Sequence, residues 1–156
     1  MLSNLDVYLA IAEEAIEESE RLDSSSRTPK PDGEPGFIIA FDPTRASLKK
    51  SLIAIAFSAM FFEALLFIVG TKRFGRDESL KIDRLPYEDR LKRFGLSDTE
   101  LLQKCQEFRK ARKDLVHEKA LEVLDIEGAT FRIAQKVARD AVHFVKQISD
   151  LLHGAP

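Results

Sequence analysis

The stretch Leu52-Ile53-Ala54-Ile55-Ala56-Phe57-Ser58-Ala59-Met60-Phe61-Phe62-Glu63-Ala64-Leu65-Leu66-Phe67-Ile68-Val69 decides the fold. It is apolar on nearly every face of a helix, so it reads either as a membrane span or as the central helix of a bundle. A span needs about 20 mostly apolar residues, and this stretch approaches that length. Glu63 argues against it, because a carboxylate deep in the bilayer costs about 2.5 to 3.5 kcal/mol even on insertion scales. The flanking segments settle the reading. They are amphipathic helices in need of a shared apolar surface, and a buried central helix supplies one. The expectation is an all-α bundle of about four to five helices around this long helix. No membrane partner is expected; attachment through Leu52 to Val69 is the minor alternative.

Asp42-Pro43 reads as an N-cap followed by proline at the first helical position, where its missing N–H costs nothing. From there the central helix should run to about Lys72, roughly 42 Å at 1.5 Å per residue. Upstream, Ser3 to Leu22 places Leu5, Leu9, Ala12 and Ile16 at helical spacing, while Glu13, Glu14, Glu17 and Glu18 form a solvated acidic face. Between the two lies an internal loop, residues 23–42, rich in serine, proline and glycine. Within it Phe37-Ile38-Ile39-Ala40-Phe41 is too short for a helix and has no evident strand partner. It reads as a pin holding the loop's end to the core.

Downstream, Gly70 to Leu85 reads as a basic connection carrying Lys72, Arg73 and Arg76. A short helix follows, opening with Pro86 and ending at Phe94-Gly95, glycine being the usual helix stop. Ser97 or Asp98 caps the next helix, with Glu100 at the capping-box offset from Ser97. That helix aligns Leu101, Cys105, Phe108, Arg112 and Leu115 on one stripe, which sets an arginine among core positions. The last helix runs from about Glu127 to Leu152, with Ala134, Val137, Ala138, Ala141, Val145, Ile148 and Leu152 at three-and-four spacing.

The chain of 156 residues fits one domain, 1–156, with no internal repeat. At that size folding buries about 68 to 70% of the unfolded chain's surface. Hydrophobic residues make up 44% and charged residues 32%, a globular balance. The net charge of −2 gives no global attraction to nucleic acid or anionic membrane, so any RNA binding must be local. Cys105 is the single cysteine and cannot close an intramolecular disulfide. With no basic-then-apolar signal pattern before Ala15, a cytoplasmic location is expected. His143 and His153 lack neighbours at ligand spacing, so no metal site is expected. Nucleophile-elbow and glycine-rich phosphate motifs are absent from the sequence, and Cys105 on the core stripe reads as a small buried hydrophobe.

The segment Phe108-Arg109-Lys110-Ala111-Arg112-Lys113-Asp114-Leu115-Val116-His117-Glu118-Lys119 carries the chemistry. It resembles the HEPN superfamily, helical bundles with a long apolar second helix and, on a later helix, an arginine and a histidine separated by about four to six residues. Arg112 and His117 match that motif, with Leu115-Val116 as the hydrophobic pair before the histidine. The resemblance follows the helix order from Ser3 to Leu152 and is sharpest over these residues. Five residues advance a helix by about 500°, so Arg112 and His117 would point about 140° apart on an unbroken helix. Either the helix ends or distorts near His117, or two copies of the motif meet across a twofold axis.

The resemblance implies the second arrangement, a homodimer with a composite site near its twofold axis. It further implies metal-independent RNA cleavage without a cofactor, in which the ribose 2′-OH attacks phosphorus and leaves a cyclic phosphate end. His117 suits the proton transfers, with an ordinary pKa of about 6.5. Arg112 presents a fork of donors that matches phosphate oxygens in the transition state. Lys104, Arg109, Lys110, Lys113 and Lys119 would follow the RNA backbone, partly offset by Asp114 and Glu118. Glu63 and Asp114 are candidates for supporting the site. Many HEPN ribonucleases are toxins of toxin–antitoxin or defence systems, which makes an antitoxin protein a candidate partner; DNA is not an expected one. Many catalytic members carry a small polar residue such as Asn after the arginine, where this chain has Lys113-Asp114. That departure keeps open a non-catalytic HEPN-like interaction module, with Arg112 a structural arginine paired to Glu63 and His117 a helix C-terminal histidine.

Overall fold

The computed structural model describes residues 4–40, 43–116 and 134–153. Its helices are α1 (Asn4–Ser25), α2 (Ala46–Phe74), α3 (Arg76–Ile82), α4 (Tyr87–Arg93), α5 (Thr99–Val116) and α6 (Ala134–His153). Two short strands, β1 (Arg27–Pro29) and β2 (Phe37–Ile39), form an antiparallel hairpin between α1 and α2. The all-α class is as expected, with six helices among the described residues instead of four to five.

α2 is the central element. Phe62 and Leu65 on it are fully buried, and α1, α5 and α6 pack around it. An aromatic cluster joins the helices at mid-height: the Phe62 ring lies 4.8 Å from Tyr87, 5.4 Å from Phe108 and 5.7 Å from Phe144, centre to centre. Buried small residues let α1 approach α2 closely: Ala12, Ala15 and Ser19 on one, Ser51, Ala54 and Ser58 on the other. The Ser19 and Ser51 hydroxyls are partnered where the helices touch, their Oγ atoms lying 2.8 Å apart, whereas the buried Ser58 Oγ has no hydrogen-bond partner among the described residues. α2 has the length and composition to cross a membrane, but half of its most apolar window is buried inside the bundle. Ile53 and Met60 remain exposed on its outer side.

The helix ends depart from expectation in three places. α2 begins at Ala46, not at the Asp42-Pro43 signal: Pro43 stands before the helix, Asp42 lies outside the described residues, and Arg45 in the left-handed region (φ 52°) precedes the first turn. Gly70 to Leu85 is not a plain connection. α2 continues to Phe74, Gly75 (φ 83°) turns the chain, and α3 follows with Asp77 and Glu78 in its first turn and Lys81 in its last, each placed to offset the helix dipole. Residues 23–42 contain regular structure, since α1 reaches Ser25 and the hairpin pairs Arg27 with Ile39 and Pro29 with Phe37. Phe37 and Ile38 are 56% and 53% exposed, so they do not pin the loop to the core.

Other signals hold. α4 follows Pro86 and closes at Gly95 (φ 84°) in a Schellman arrangement, with Leu96 N–H donating to Leu91 O and Gly95 N–H to Lys92 O, both at 3.0 Å. Asp98 caps α5, its Oδ1 accepting the Leu101 N–H at 2.9 Å. The described part of α6 starts at Ala134; the expected start near Glu127 lies outside the described residues. Its far end is capped by Arg73, which donates from Nη2 to Leu152 O at 2.9 Å.

Candidate functional site

Glu63 follows the fully buried Phe62 in α2, so its carboxylate emerges at the edge of the aromatic cluster. A carboxylate there needs partners, and α4 supplies two. Tyr87, only 3% exposed, donates its hydroxyl to Glu63 Oε1 at 2.7 Å, and Arg90 Nη1 donates to Glu63 Oε2 at 2.6 Å. Arg90 also donates to Leu85 O at 2.8 Å, to Asp83 Oδ1 at 2.9 Å and to the Asp83 carbonyl. Its side chain is 10% exposed, and its guanidinium lies 5.2 Å from the Tyr87 ring centre. Burial pushes the Tyr87 phenol above its ordinary range, the hydrogen bond to Glu63 and that residue's negative charge add to the rise, and Arg112 and Arg90 oppose it.

Arg112 reaches the same carboxylate from α5. Its Nη2 lies 3.5 Å from Glu63 Oε1, its guanidinium 5.6 Å from the Tyr87 ring centre, and its side chain is 44% exposed. The expected stripe on α5 is therefore split. Leu101, Cys105 and Phe108 are buried and Leu115 packs partly against the core, while Arg112 carries its charge past the aromatic floor to the surface. The geometry thus leaves a guanidinium fork held at its base by a carboxylate and a ring, with donors accessible from solvent. Such a fork can bind phosphate or carboxylate oxygens.

The remaining expected site residues are dispersed. Arg109 pairs with Glu88 of α4 at 3.0 Å, and Lys104 pairs with Glu100 at 2.7 Å, which raises the lysine's pKa. Lys110 and Lys113 are exposed and Asp114 is half-buried. His117 and Lys119 lie outside the described residues. Glu63 and Arg112 are thus brought together, the pairing anticipated for a structural arginine, and α5 presents Lys104, Arg109, Lys110 and Lys113 along its exposed sides. Cys105 is fully buried, its thiol pushed up to about 12 by burial, with Glu88 adding and Arg109 opposing. Among the described residues no group of three or more His, Cys, Asp or Glu side chains could hold a metal ion.

Sequence reasoning missed Tyr87, Arg90 and Asp83. A usable signal existed: Tyr87, Leu91 and Phe94 repeat at helical spacing, and Arg90 sits beside that stripe, where a buried arginine demands an acid. Beside the cluster, a groove of about 450 Å³ runs between α5 and α6 with Phe108, Ala111 and Phe144 at its base and Lys104 and Lys136 on its rim.

Fold and site together define an all-α bundle with a carboxylate-anchored, solvent-accessible arginine on its fifth helix. No protein family, curated protein or solved structure matches the chain.

Proposed function

We propose that this protein is a metal-independent endoribonuclease of HEPN type, working as a cytoplasmic homodimer in which Arg112 and His117 of both copies form one composite site. The observation that carries the reading is the state of Arg112. It belongs to the motif by sequence, it is anchored by Glu63 and Tyr87, and it is still open to an incoming anion. In this reading Arg112 stabilises charge building on the phosphorane, His117 moves the proton of the 2′-OH or of the leaving oxygen, and Glu63 holds Arg112 in place. Lys104, Arg109, Lys110, Lys113 and Lys119 guide the RNA backbone. A role as the toxin of a toxin–antitoxin or defence pair follows, with an antitoxin protein as partner.

The test is cleavage of a labelled structured RNA in excess chelator, using wild type, Arg112→Ala and His117→Ala, each shown by light scattering to keep the wild-type mass. Cutting by wild type alone, with cyclic phosphate ends, supports the reading. Cutting that needs metal and survives both substitutions removes it.

A second reading is favoured by the pairs Arg112–Glu63 and Arg109–Glu88, which tie α5 to α2 and α4 and give both arginines structural work. On that reading the domain is a non-catalytic HEPN-like module that binds a protein partner. A stable hetero-complex without nuclease activity in either component supports it.

A further inference from the structure

The outer face of α2 carries an uncovered apolar line. At about 100° per residue, Ile53, Met60, Ala64, Phe67 and Phe74 fall within about 40° of one direction. Ile53, Met60 and Phe74 are 38%, 43% and 41% exposed, and Ala64 and Phe67 are half-buried. From Ile53 to Phe74 the line is about 32 Å long, and the exposed Lys49 continues it toward the start of the helix. Large apolar side chains left bare in a row mark an interaction surface. Glu63 falls about 60° to one side of the line, and on that side it meets Arg112.

The order of side chains along the line says what fits it. Laid antiparallel on a second copy of itself, about a twofold between Glu63 and Ala64, it sets Ile53 against Phe74 and Met60 against Phe67. The small Ala64 then stands at the centre, where the two helices come closest. Lys49 reaches the C-terminal end of the other copy's α2, where a cation is favoured. A parallel pairing would instead set the two Lys49 side chains against each other. Lys72 and Arg73 in the last turn do not repel the incoming lysine: they fall about 120° and 140° off the line, and Arg73 is engaged by Leu152 O.

We infer that the outer face of α2 is the dimer surface of this protein, seated antiparallel on α2 of a second copy. An antiparallel helix pair has its twofold perpendicular to both helix axes and along the face between them. Groups on one side of the line therefore meet the same groups on the same side of the other copy. The two Glu63–Arg112 pairs, at mid-line, come together where the axis leaves the interface, whereas parallel packing would put them on opposite sides. This surface supplies what the composite-site reading needs, and the choice of antiparallel over parallel rests in part on that reading. Each Glu63 arrives with Arg90 and Arg112 attached, so the two carboxylates do not face each other unbalanced.

Cysteine cross-linking tests the surface and its register. With helix axes about 8 to 10 Å apart, the Ala64 Cβ atoms of two copies stand about 4 Å from each other, within disulfide reach, while the two Ile53 positions are about 32 Å apart. Cys105 is fully buried and does not compete. Ala64→Cys, Ile53→Cys and the double variant Ile53→Cys/Phe74→Cys are mildly oxidised and run on denaturing gels without reductant, and wild type is weighed by light scattering. The expected result is a dimeric wild type, cross-linked dimers for Ala64→Cys and the double variant, and chain mass for Ile53→Cys alone. Ala64→Cys that stays at chain mass, or Ile53→Cys that cross-links as readily, overturns the inference. So does a monomeric wild type, including one that floats with phospholipid vesicles and so turns this face to a membrane. RNA cleavage is read separately: a cross-linked Ala64→Cys dimer of a protein that cuts no RNA leaves the surface standing and removes the ribonuclease reading, while cleavage without the cross-link removes the surface alone.

Discussion

Arg90 and Arg112 share one carboxylate, and the structure assigns them unequal worth. Arg90→Ala removes a side chain that is 10% exposed and donates to Glu63, Asp83 and two backbone carbonyls. Breaking a buried pair by deleting one partner costs about 3 to 5 kcal/mol, mostly from the charge left behind. Here the abandoned acids are partly wet, Glu63 being 30% and Asp83 44% exposed, which lowers the expectation to about 2 to 3 kcal/mol. Arg112→Ala breaks one 3.5 Å contact and one ring contact of a side chain that is 44% exposed, so its cost should stay under about 1 kcal/mol. Urea unfolding measures both. With a slope of about 1.5 kcal/mol/M, Arg90→Ala should lower the midpoint by about 1.3 to 2 M and Arg112→Ala by less than about 0.7 M, with slopes unchanged. Equal losses would refute the reasoning, and an Arg112→Ala loss as large as that of Arg90→Ala would make Arg112 a structural arginine and strip the nuclease reading of its main support.

Gly70→Ala should destabilise the fold by about 1 to 3 kcal/mol although alanine favours helices by about 1 kcal/mol, because its Cβ would stand 2.8 Å from Ser79 Oγ and 3.3 Å from Phe94 Cζ; a stabilised variant in thermal unfolding would show that α3 does not press on α2 there. Stability should also fall in alkali. The Cys105 thiol and Tyr87 phenol are both raised in the folded state, so above a pH of about 9 for the thiol and about 10 for the phenol the unfolded chain releases protons that the native one keeps, and each such group then lowers stability by about 1.4 kcal/mol per pH unit. Each contribution is fully present below the group's own onset. Cys105→Ala should flatten the slope between pH 9 and 11 in urea titrations, and an unaltered slope would exclude the thiol as a source.

The long helices were legible because α1, α2, α5 and α6 each carry enough apolar residues at helical spacing to declare a buried face. α3 was not. Seven residues with Leu80 and Ile82 as its only apolar members give no periodicity, and its acidic start and basic end were the sole signal. The hairpin escaped for a related reason: strands of three residues, one ending in proline, are too short for alternation, and the pairing of Arg27 with Ile39 depends on a turn around Gly33 and Gly36. Glu63 was recognisable as an acid in apolar company that needed a cation. Which cation was not written locally. Arg112 was the candidate because it sits on a core stripe, whereas the shorter contact comes from Arg90, 27 residues away on a helix of two turns.

That division has a consequence for chemistry at Arg112. Glu63 spends Oε2 on Arg90 and much of Oε1 on the Tyr87 hydroxyl, both at hydrogen-bonding distances, and Arg112 takes what is left at 3.5 Å. A carboxylate engaged by one guanidinium and one hydroxyl attracts a second guanidinium more weakly than a free one does, so Arg112 is oriented without being consumed. The stacking partner beneath it, Tyr87, is fixed by the aromatic cluster and contributes direction at little cost in donors. An incoming phosphate would therefore meet a guanidinium already aimed and only loosely paired, which is the condition under which little binding energy is lost to reorganisation. Arg90 makes this possible by satisfying Glu63 from inside the bundle, where its own donors are shielded from solvent.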